Sequence, residues 1–477
     1  MGVADFLYSR MLDEFAFEPT PDQVRLFRRL ADFTASDQEE DLLVINGYAG
    51  TGKTSSIAAY VKTLLSFELK FKLMAPTGRS AKVLAGYTGQ KSATIHKTIY
   101  RQRSMNEGVG QFSLNINKAA DTVFIVDEAS LIAGPSAGSP FGTGDLLSDL
   151  LSYVRNGLRN RLILIGDAAQ LPPVSMDRSP ALDADYLQAS FGCVEMEHLS
   201  DVVRQGSESG ILHNATLVRQ MIQEAEDAYG DEVETPVLDA TSFADFARIQ
   251  GGDLIEKLTE CIDRYGLDET VVLCRSNKRA NRYNAGIRGS VLYREEQLCR
   301  GDKLMVVKNC YQFLEQVPEL DFIANGDVAQ LLRIRNYEER YGLHFAEADL
   351  CFSDYNDVEI RAKVILDTLS SEAASLTADQ QRQLYEGVYE DHAHLKTKRK
   401  IQKQIREDPY YNALQIKYAA AITCHKSQGG QWKAVFVDNP FWQDPLVLED
   451  LKWLYTAITR GVEQVYLVNF NDKFFKH

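Results

Sequence analysis

Residues 42–54 read LLVINGYAGTGKT, an apolar run that leads into a glycine-rich loop ending in lysine and threonine. The spacing G-x-x-x-x-G-K-[ST] lets backbone N–H groups face phosphate oxygens, while the lysine adds charge near the β- and γ-phosphates and the threonine can ligate Mg²⁺. A helix-prone stretch, SSIAAYVKTLL, follows the loop. We therefore predict a nucleoside triphosphate site and not a chance glycine turn. Its residues are Gly47, Ala49, Gly50, Thr51, Gly52, Lys53, Thr54 and Ser55.

The composition is that of a multidomain protein. The chain has 477 residues, of which 45% are hydrophobic, and we expect about two to four domains. Its formal charge of −15 argues against a globally basic surface that coats DNA, although it permits a local basic groove. Seven cysteines without a C-x-x-C pair indicate neither a disulfide framework nor a zinc site, and they fit a reducing cytoplasm. The lack of a long apolar span predicts a soluble protein without membrane contact.

Short apolar strands alternate with helix-like stretches between about residues 41 and 203. These strands are LLVIN, FKLMAP, VFIVDEA and RLILIGD, a pattern typical of a parallel sheet covered by helices. Ligands bind at the carboxyl ends of such strands. Asp127 and Glu128 end the third strand, where a phosphate-loop ATPase needs one carboxylate for Mg²⁺ and another to prepare water. We predict that Asp127 faces the metal and that Glu128 is the general base.

A second α/β unit begins near Ile211, contains the strand TVVLCRS, and resumes from Ala419 after an interruption. From Gly301 to about Phe352 the interruption holds short alternating strands separated by turns such as 325–327, a pattern that predicts a small inserted β-barrel. The helix-prone stretch 368–406 ends in a basic run, which is either a solvated helix face or a nucleic-acid contact. The basic residues are Lys396, Lys398, Arg399, Lys400, Lys403 and Arg406.

Six ordered motifs carry a resemblance that extends from about residue 15 to the C-terminus. They are APTGRSAKVL (75–84), ATIHKTIYR (93–101), DEAS followed by GDAAQLPPV (166–174), LSDVVRQ (199–205), AITCHKSQGG (421–430) and LYTAITRG (454–461). In this combination and order the chain resembles superfamily 1 helicases of the RecD-like and Dda-like group. The resemblance implies an α/β fold with two RecA-like parallel-sheet domains and a small inserted SH3-like β-barrel. We place the first RecA-like domain at 1–205, the second at 206–300 plus 412–477, and the insert at 301–411.

The same resemblance assigns further residues to an ATP site between the two RecA-like domains. Gln23 resembles the glutamine that reads adenine, and an exposed glutamine at a helix start is the alternative. Gln170 resembles the sensor of the γ-phosphate. Arg204 and Arg460 resemble the two arginines that reach the γ-phosphate from the second domain, against the alternative of surface ion pairs. Gln428 and Gly429 are expected between the nucleotide and DNA.

The expected DNA contacts also follow from motif position. Backbone N–H groups and hydroxyls at the start of a helix can hold a DNA phosphate. The residues implied are Pro76, Thr77, Gly78, Arg79, Thr94 and His96 in the first domain, and Thr423, His425, Lys426 and Ser427 in the second. Purely structural roles are the alternative for the two histidines. The excursion 101–118 occupies the place of a strand-separating pin, in which Phe112 would stack on a terminal base pair, against the alternative of plain loop packing.

The leading hypothesis is an ATP- and Mg²⁺-dependent DNA helicase that acts as a monomer on single-stranded DNA and single-strand/duplex junctions. Its 5′→3′ polarity is implied by the resemblance alone. An alternative is an ATPase that tracks along single-stranded DNA and displaces bound proteins with little unwinding. A small-molecule kinase could use the same phosphate loop, but it does not need a second sheet that supplies CHKSQGG and TAITR.

Overall fold

The computed structural model describes residues 2–36, 42–102, 112–135, 141–192, 194–201, 209–228, 232–310, 312–313, 322–395 and 397–476. None of the helices in these ranges has an apolar stretch long enough to cross a membrane.

The first part of the chain alternates strands and helices. Its described strands are β1 (Leu42–Gly47), β2 (Lys70–Ala75), β3 (Ser92–Thr94), β4 (Tyr100–Gln102), β5 (Phe112–Leu114), β6 (Thr122–Val126), β7 (Arg161–Gly166) and β8 (Glu195–Leu199). Its described helices are α1 (Val3–Glu14), α2 (Pro21–Ala35), α3 (Lys53–Ser66), α4 (Gly78–Thr88), α5 (Ile95–Ile99), α6 (Leu146–Arg155) and α7 (Ala184–Phe191).

Six of these strands form a parallel sheet in the order β3-β2-β6-β7-β1-β8. Strand β1 lies between β7 and β8, and all six of its residues are buried. Leu43 and Ile45 pack on the face covered by α1, α2 and α3, whereas Leu42 and Val44 pack on the opposite face. Burial on both faces explains why the strand is apolar at consecutive positions. Strands β4 and β5 form a separate antiparallel pair.

The second part of the chain holds another sheet and a barrel. Its described strands are β9 (Glu232–Val233), β10 (Phe246–Ile249), β11 (Thr270–Cys274), β12 (Lys303–Val306), β13 (Val328–Arg340), β14 (Leu343–Phe352), β15 (Val358–Ile365), β16 (Leu414–Tyr418), β17 (Ala421–Thr423), β18 (Trp432–Asp438), β19 (Leu446–Val447) and β20 (Gly461–Val468). Its described helices are α8 (Gly210–Ala228), α9 (Leu254–Tyr265), α10 (Asn277–Gly286), α11 (Ala378–His392), α12 (Lys398–Glu407), α13 (Cys424–Ser427) and α14 (Leu448–Ile458).

The second sheet is parallel, with the order β10-β20-β18-β11-β17. Its central strand β11 is fully buried. Val271 and Leu273 face the cluster that includes α8 and α14, and Val272 and Cys274 face the cluster that includes α9 and α10. The two sheets have the architecture of two RecA-like domains, as the sequence predicts.

Strands β12 to β16 close into a five-stranded barrel inserted between β11 and β17. In β14, Ala346, Ala348 and Leu350 alternate into the barrel core, which is the period expected of a strand buried on one face. Helices α11 and α12 pack outside the barrel through a separate apolar cluster. The expected inserted barrel is therefore confirmed. Because β16 ends at Tyr418, we propose that the insert ends there, later than the predicted residue 411; the other domain boundaries stay predictions.

Both connections between the barrel and the second sheet are restrained: one is short, and the other is held by hydrogen bonds to a buried carboxylate. Two residues, Ala419 and Ala420, separate β16 from β17; the N–H of Ala419 donates to Lys303 of the barrel, and the carbonyl of Ala420 accepts from Val272 of the sheet. On the entry side, Asp302 is buried and accepts hydrogen bonds from two arginines, at 3.0 and 2.6 Å. Those arginines are Arg288 and Arg294, in the segment between α10 and β12.

Candidate functional site

The glycine-rich loop joins the end of β1 to the start of α3. Gly50 and Gly52 have φ of +78° and +75°, in the left-handed region that favours glycine. No side chain caps α3 at Gly52, so its first N–H groups are available to an anion. The Lys53 ammonium lies over the loop and donates to the carbonyls of Gly47 and, at 2.9 Å, Tyr48. Thr54 begins the helix beside it, half-buried.

The paired acids follow β6 directly. Glu128 donates its backbone N–H to Asp127 Oδ1 at 2.9 Å, and its own φ of +55° is rare for a residue with a side chain. Burial and the neighbouring carboxylate of Glu128 hold the pKa of Asp127 well above its ordinary value, and the charge of Lys53 opposes that shift. This uncompensated negative charge is suited to a divalent cation. A hydroxyl and a carboxylate, from Thr54 and Asp127, match the oxygen ligands that Mg²⁺ takes beside a triphosphate.

The end of β7 brings Asp167 and Gln170 to the same edge of the sheet. Gln170 is buried, and its Oε1 has no hydrogen-bond partner among the described residues. A buried acceptor without a partner is costly, and a ligand or its water shell would satisfy it. The site thus fits a polar ligand at this position, where the sequence places the γ-phosphate sensor.

Tyr455 connects this edge to the second sheet, and the sequence motifs did not single it out. Its hydroxyl, on buried helix α14, donates to Asp167 at 2.7 Å and accepts the N–H of Ala49 in the phosphate loop at 2.8 Å. One hydroxyl therefore spans the cleft between the two sheets. The signal available in the sequence was its position within LYTAITRG, five residues before Arg460.

The segment 428–430 lies against the first domain. Gln428 donates its side-chain amide to the carbonyl of Leu171 at 2.6 Å, and the N–H of Leu171 donates to the Thr456 hydroxyl at 2.8 Å. Gly429 has a φ of +72°, and a Cβ there would lie 3.1 Å from the Cβ of Ser80. These contacts put the segment between Leu171, which directly follows Gln170, and helix α4.

Arg460 is buried and donates only to neutral acceptors of its own domain. These are the carbonyls of Thr456 and Gly430, at 3.1 and 3.2 Å, and the Thr459 hydroxyl at 3.3 Å. No carboxylate of the described residues forms an ion pair with it. A buried guanidinium without a counter-ion is suited to an anionic ligand. Arg204, the other predicted arginine, lies outside the described residues.

Gln23 is not an exposed residue at a helix start. It is buried, its Oε1 accepts the N–H of Thr20, and its amide donates to the carbonyl of Thr51 in the phosphate loop, both at 3.0 Å. The exposed alternative is therefore wrong. The position beside the loop is compatible with adenine recognition, which stays a prediction.

A groove of about 470 Å³ runs between the first domain, the barrel and the second domain. Eight of the ten predicted DNA-binding residues line it, namely Pro76, Thr77, Gly78, Arg79, Thr94, His96, His425 and Lys426. Thr423 does not line the groove, and Ser427 is buried with its hydroxyl donating to the carbonyl of Cys424 at 2.7 Å. The barrel supplies lining residues that the sequence did not single out, including Lys303, Asp327 and Tyr355.

Because the groove is shielded from water, the pKa values of its ionisable side chains are shifted. Lys426 donates to Asn325 Oδ1 at 3.1 Å, and burial together with the charge of Lys417 lowers its pKa to about 8. Burial raises the pKa of Asp327 to about 7, although the Tyr355 hydroxyl donates to both of its oxygens. Ionisable groups on this wall therefore change charge near neutral pH.

His96 lies on the first-domain wall of the groove and carries no charge at neutral pH. Burial lowers the pKa of His96 to about 4, so the ring is neutral at pH 7, and it packs 4.6 Å from the ring of Phe141. Burial likewise lowers the pKa of His425. Neutral imidazoles can donate one hydrogen bond to a phosphate or pack against a sugar. Thr77 and Thr94 cap helices α4 and α5 with their hydroxyls.

Phe112 is a core residue. It is 4% exposed in β5, and its ring lies 4.8 Å from that of Phe141 and 6.0 Å from that of Phe322. A side chain enclosed in this way does not reach a base pair, so the prediction of Phe112 as the stacking residue of a pin is wrong. Residues 103–111 of the expected excursion lie outside the described part of the chain.

Residues 20–233 match the model of an AAA domain, and residues 418–468 match the UvrD-like helicase C-terminal domain. The ATP-dependent RecD2 DNA helicase of Deinococcus radiodurans is 35% identical over 135 residues, which cover 28% of this chain and 16% of that protein. The uncharacterized protein R530 of Acanthamoeba polyphaga mimivirus is 21% identical over 88% of this chain and 93% of its own length.

Among solved structures, the Pif1 helicase from Bacteroides in complex with ADP-AlF3 and single-stranded DNA covers 97% of this chain and 95% of its own, with 15% identity and a TM-score of 0.47. The chain spans only a small part of the RecD2 protein that it matches. The two family models nevertheless cover the phosphate-loop domain and the segment that carries CHKSQGG and TAITR. The chain is therefore similar, in both of these parts, to ATPase and helicase domains, and over 135 residues to a RecD2 DNA helicase.

Proposed function

We propose that this protein is an ATP-dependent DNA helicase that moves along single-stranded DNA and separates the strands at a junction. The observation that carries the proposal is the position of segment 428–430, which contacts the nucleotide side through Leu171 and helix α4 of the groove wall through Ser80. A change at one site thereby bears on the other. The similarity to the RecD2 DNA helicase supports the same function.

In the proposed hydrolysis each residue has a separate task. Lys53 leaves the carbonyls of Gly47 and Tyr48 and pairs with phosphate oxygens instead. Glu128 accepts the proton of the water that attacks the γ-phosphorus, while the bond to the bridging oxygen breaks and ADP and inorganic phosphate form. Mg²⁺, which Thr54 and Asp127 would hold, supplies positive charge to the triphosphate.

Arg460 makes hydrolysis depend on the arrangement of the two domains. Its charge stabilises the transition state only when the second domain has closed on the triphosphate, and arginines of this kind are worth roughly 10³–10⁵ in rate in other nucleotide hydrolases. Gln170, whose Oε1 is free of partners among the described residues, senses the terminal phosphate. We propose the same arginine role for Arg204 on the basis of its motif.

Single-stranded DNA is the proposed occupant of the groove. The N–H groups at the start of α4, with Thr94, His96, His425 and Lys426, would contact its backbone. Such contacts are directed at phosphates, so binding weakens with salt and has little sequence preference. We propose 5′→3′ movement from the family resemblance, action as a monomer, and a cytoplasmic location; the six described cysteines form no disulfide with one another.

One observation favours a second candidate, an ATPase that tracks along single-stranded DNA and displaces proteins with little unwinding. Phe112, the aromatic residue expected to separate base pairs, is buried among Phe141 and Phe322. A helicase needs another group at the junction, whereas a tracking ATPase does not.

The test uses two partial duplexes, one with a 5′ tail and one with a 3′ tail, with strand separation and ATP turnover followed together. Unwinding of the 5′-tailed substrate alone is the expected result. Unwinding of only the 3′-tailed substrate would overturn the polarity, and DNA-stimulated turnover without unwinding would favour the tracking ATPase. The Lys53→Ala variant is the control for contaminating helicases.

A further inference from the structure

A cation–aromatic contact joins the groove wall to the second domain. The guanidinium of Arg79, at the start of α4, lies 4.1 Å from the centre of the Trp432 ring and donates to the carbonyl of Gln431 at 2.8 Å. Tyr87, on the same helix, donates to the side-chain carbonyl of Gln431 at 2.8 Å. The helix whose first turn is expected to hold DNA is thus attached to the segment that follows CHKSQGG.

Trp432 is in turn bonded to the arginine of the nucleotide site. Its backbone N–H donates to the carbonyl of Arg460 at 2.9 Å, and the Arg460 guanidinium donates to the carbonyl of Gly430 at 3.2 Å. A Cβ at Gly430 would lie 2.5 Å from the Trp432 ring and 2.9 Å from Arg79 Nε, so the packing admits only glycine there. The position of Arg460 therefore depends on where Trp432 lies.

The Arg79 guanidinium has no carboxylate within ion-pair distance among the described residues, although the more distant charges of Asp354, Glu269 and Asp268 act on it. Burial lowers its pKa. Its Nε and the Trp432 Nε1 are both buried without hydrogen-bond partners. A DNA phosphate bound at Thr77 and Gly78, the two preceding residues, would offer a bidentate partner that the aromatic ring cannot match.

We propose that the Arg79–Trp432 contact is a latch that keeps Arg460 on its neutral acceptors, the carbonyls of Thr456 and Gly430, until a DNA phosphate draws Arg79 off the ring. The latch rests on the proposed function and specifies how DNA stimulates ATP hydrolysis. Arg79 and Trp432 act here as positioning residues, because neither needs to touch the triphosphate.

The first test compares ATP hydrolysis with and without oligothymidylate in the wild type and in Trp432→Leu. Loss of the latch is expected to raise the DNA-free rate about five- to thirtyfold, as befits a partly desolvated cation–aromatic contact, and to lower the stimulation by DNA in proportion. Trp432→Phe, which keeps an aromatic face, is expected to lie between the two. The matched control is Trp442→Leu, which replaces a tryptophan that is 79% exposed. Its ATP hydrolysis rates with and without DNA are both expected to equal those of the wild type.

The second test monitors the Arg79–Trp432 contact without measuring ATP hydrolysis. Trp432 fluorescence, taken as the difference between wild type and Trp432→Phe, is expected to change when oligothymidylate is added in the absence of nucleotide, and this DNA response is expected to persist in Trp442→Phe. An unchanged or lower DNA-free rate in Trp432→Leu, or no DNA-dependent difference signal, would overturn the latch. A wild type without DNA-stimulated hydrolysis would instead overturn the proposed function. Thermal melting of each variant identifies one that has failed to fold.

Discussion

Single-stranded DNA binding is expected to weaken steeply above pH 8 because of Lys426. Burial and Lys417 lower the pKa of this ammonium to about 8 in the free protein. A DNA phosphate favours the charged form, so binding takes up a proton wherever the free lysine is neutral. The contribution of Lys426 to binding is thus at full strength well below pH 8 and is lost as the pH rises through that value.

The size of the effect follows from the pKa. If the bound lysine stays charged, affinity falls by the factor 1 + 10^(pH − 8), which is about 1.1 at pH 7 and about 11 at pH 9, a loss of about 1.4 kcal/mol. The matched variant is Lys426→Arg, because a guanidinium stays charged across this range. Anisotropy of a Cy3-labelled oligothymidylate at constant ionic strength measures both proteins.

The ratio of the two affinities isolates this lysine. Other groups of the groove that titrate nearby, Asp327 and Lys303, are common to both proteins, so their effects cancel in the ratio. A ratio that stays constant between pH 7 and 9 would refute the reasoning, since it would mean that Lys426 is either fully charged in the free protein or remote from the phosphates.

Three further predictions concern single side chains. Lys53→Ala is expected to abolish DNA-stimulated ATP hydrolysis while single-strand binding, measured by anisotropy, is largely retained; normal hydrolysis would contradict the site. Arg460→Ala is expected to lower kcat by about 10³ with a much smaller change in KM, because its contact is strongest in the transition state; equal losses in both would indicate a structural role. Asp327→Asn removes a charge that appears on the groove wall as the pH rises through about 7. Between pH 6 and 8 its affinity for single-stranded DNA is therefore expected to fall less than that of the wild type, and parallel curves would exclude Asp327 as a cause of the fall.

The sequence alone was sufficient to predict the features that are formed by residues close together in the chain. The loop from Gly47 to Thr54 combines glycine conformations, a lysine and a helix start within one short segment, and its strand is apolar from Leu42 to Ile45. The alternation that predicts the barrel strands is equally local. Both features could be predicted because each depends on residues that are close together in the sequence.

The sequence failed where partners are distant. Phe112 was expected at a surface, and its burial depends on Phe141 and Phe322, which lie far along the chain. Tyr455 bonds Asp167 and Ala49 across the cleft, a pairing that no spacing indicates. The groove charges have the same origin, since the pKa of Lys426 is set by its enclosure and not by its motif.

The two restrained connections between the barrel and the second sheet determine which domains are expected to move together. Buried Asp302 fixes one connection, and the two-residue link 419–420, hydrogen-bonded on both sides, fixes the other, so neither is suited to be a hinge. Between the barrel and the first domain, exposed Lys82 of helix α4 donates to the carbonyl of Ser353 and lies 3.5 Å from Asp354 of the barrel, and such an exposed ion pair contributes little. We therefore expect the barrel to move together with the second domain when the cleft opens and closes.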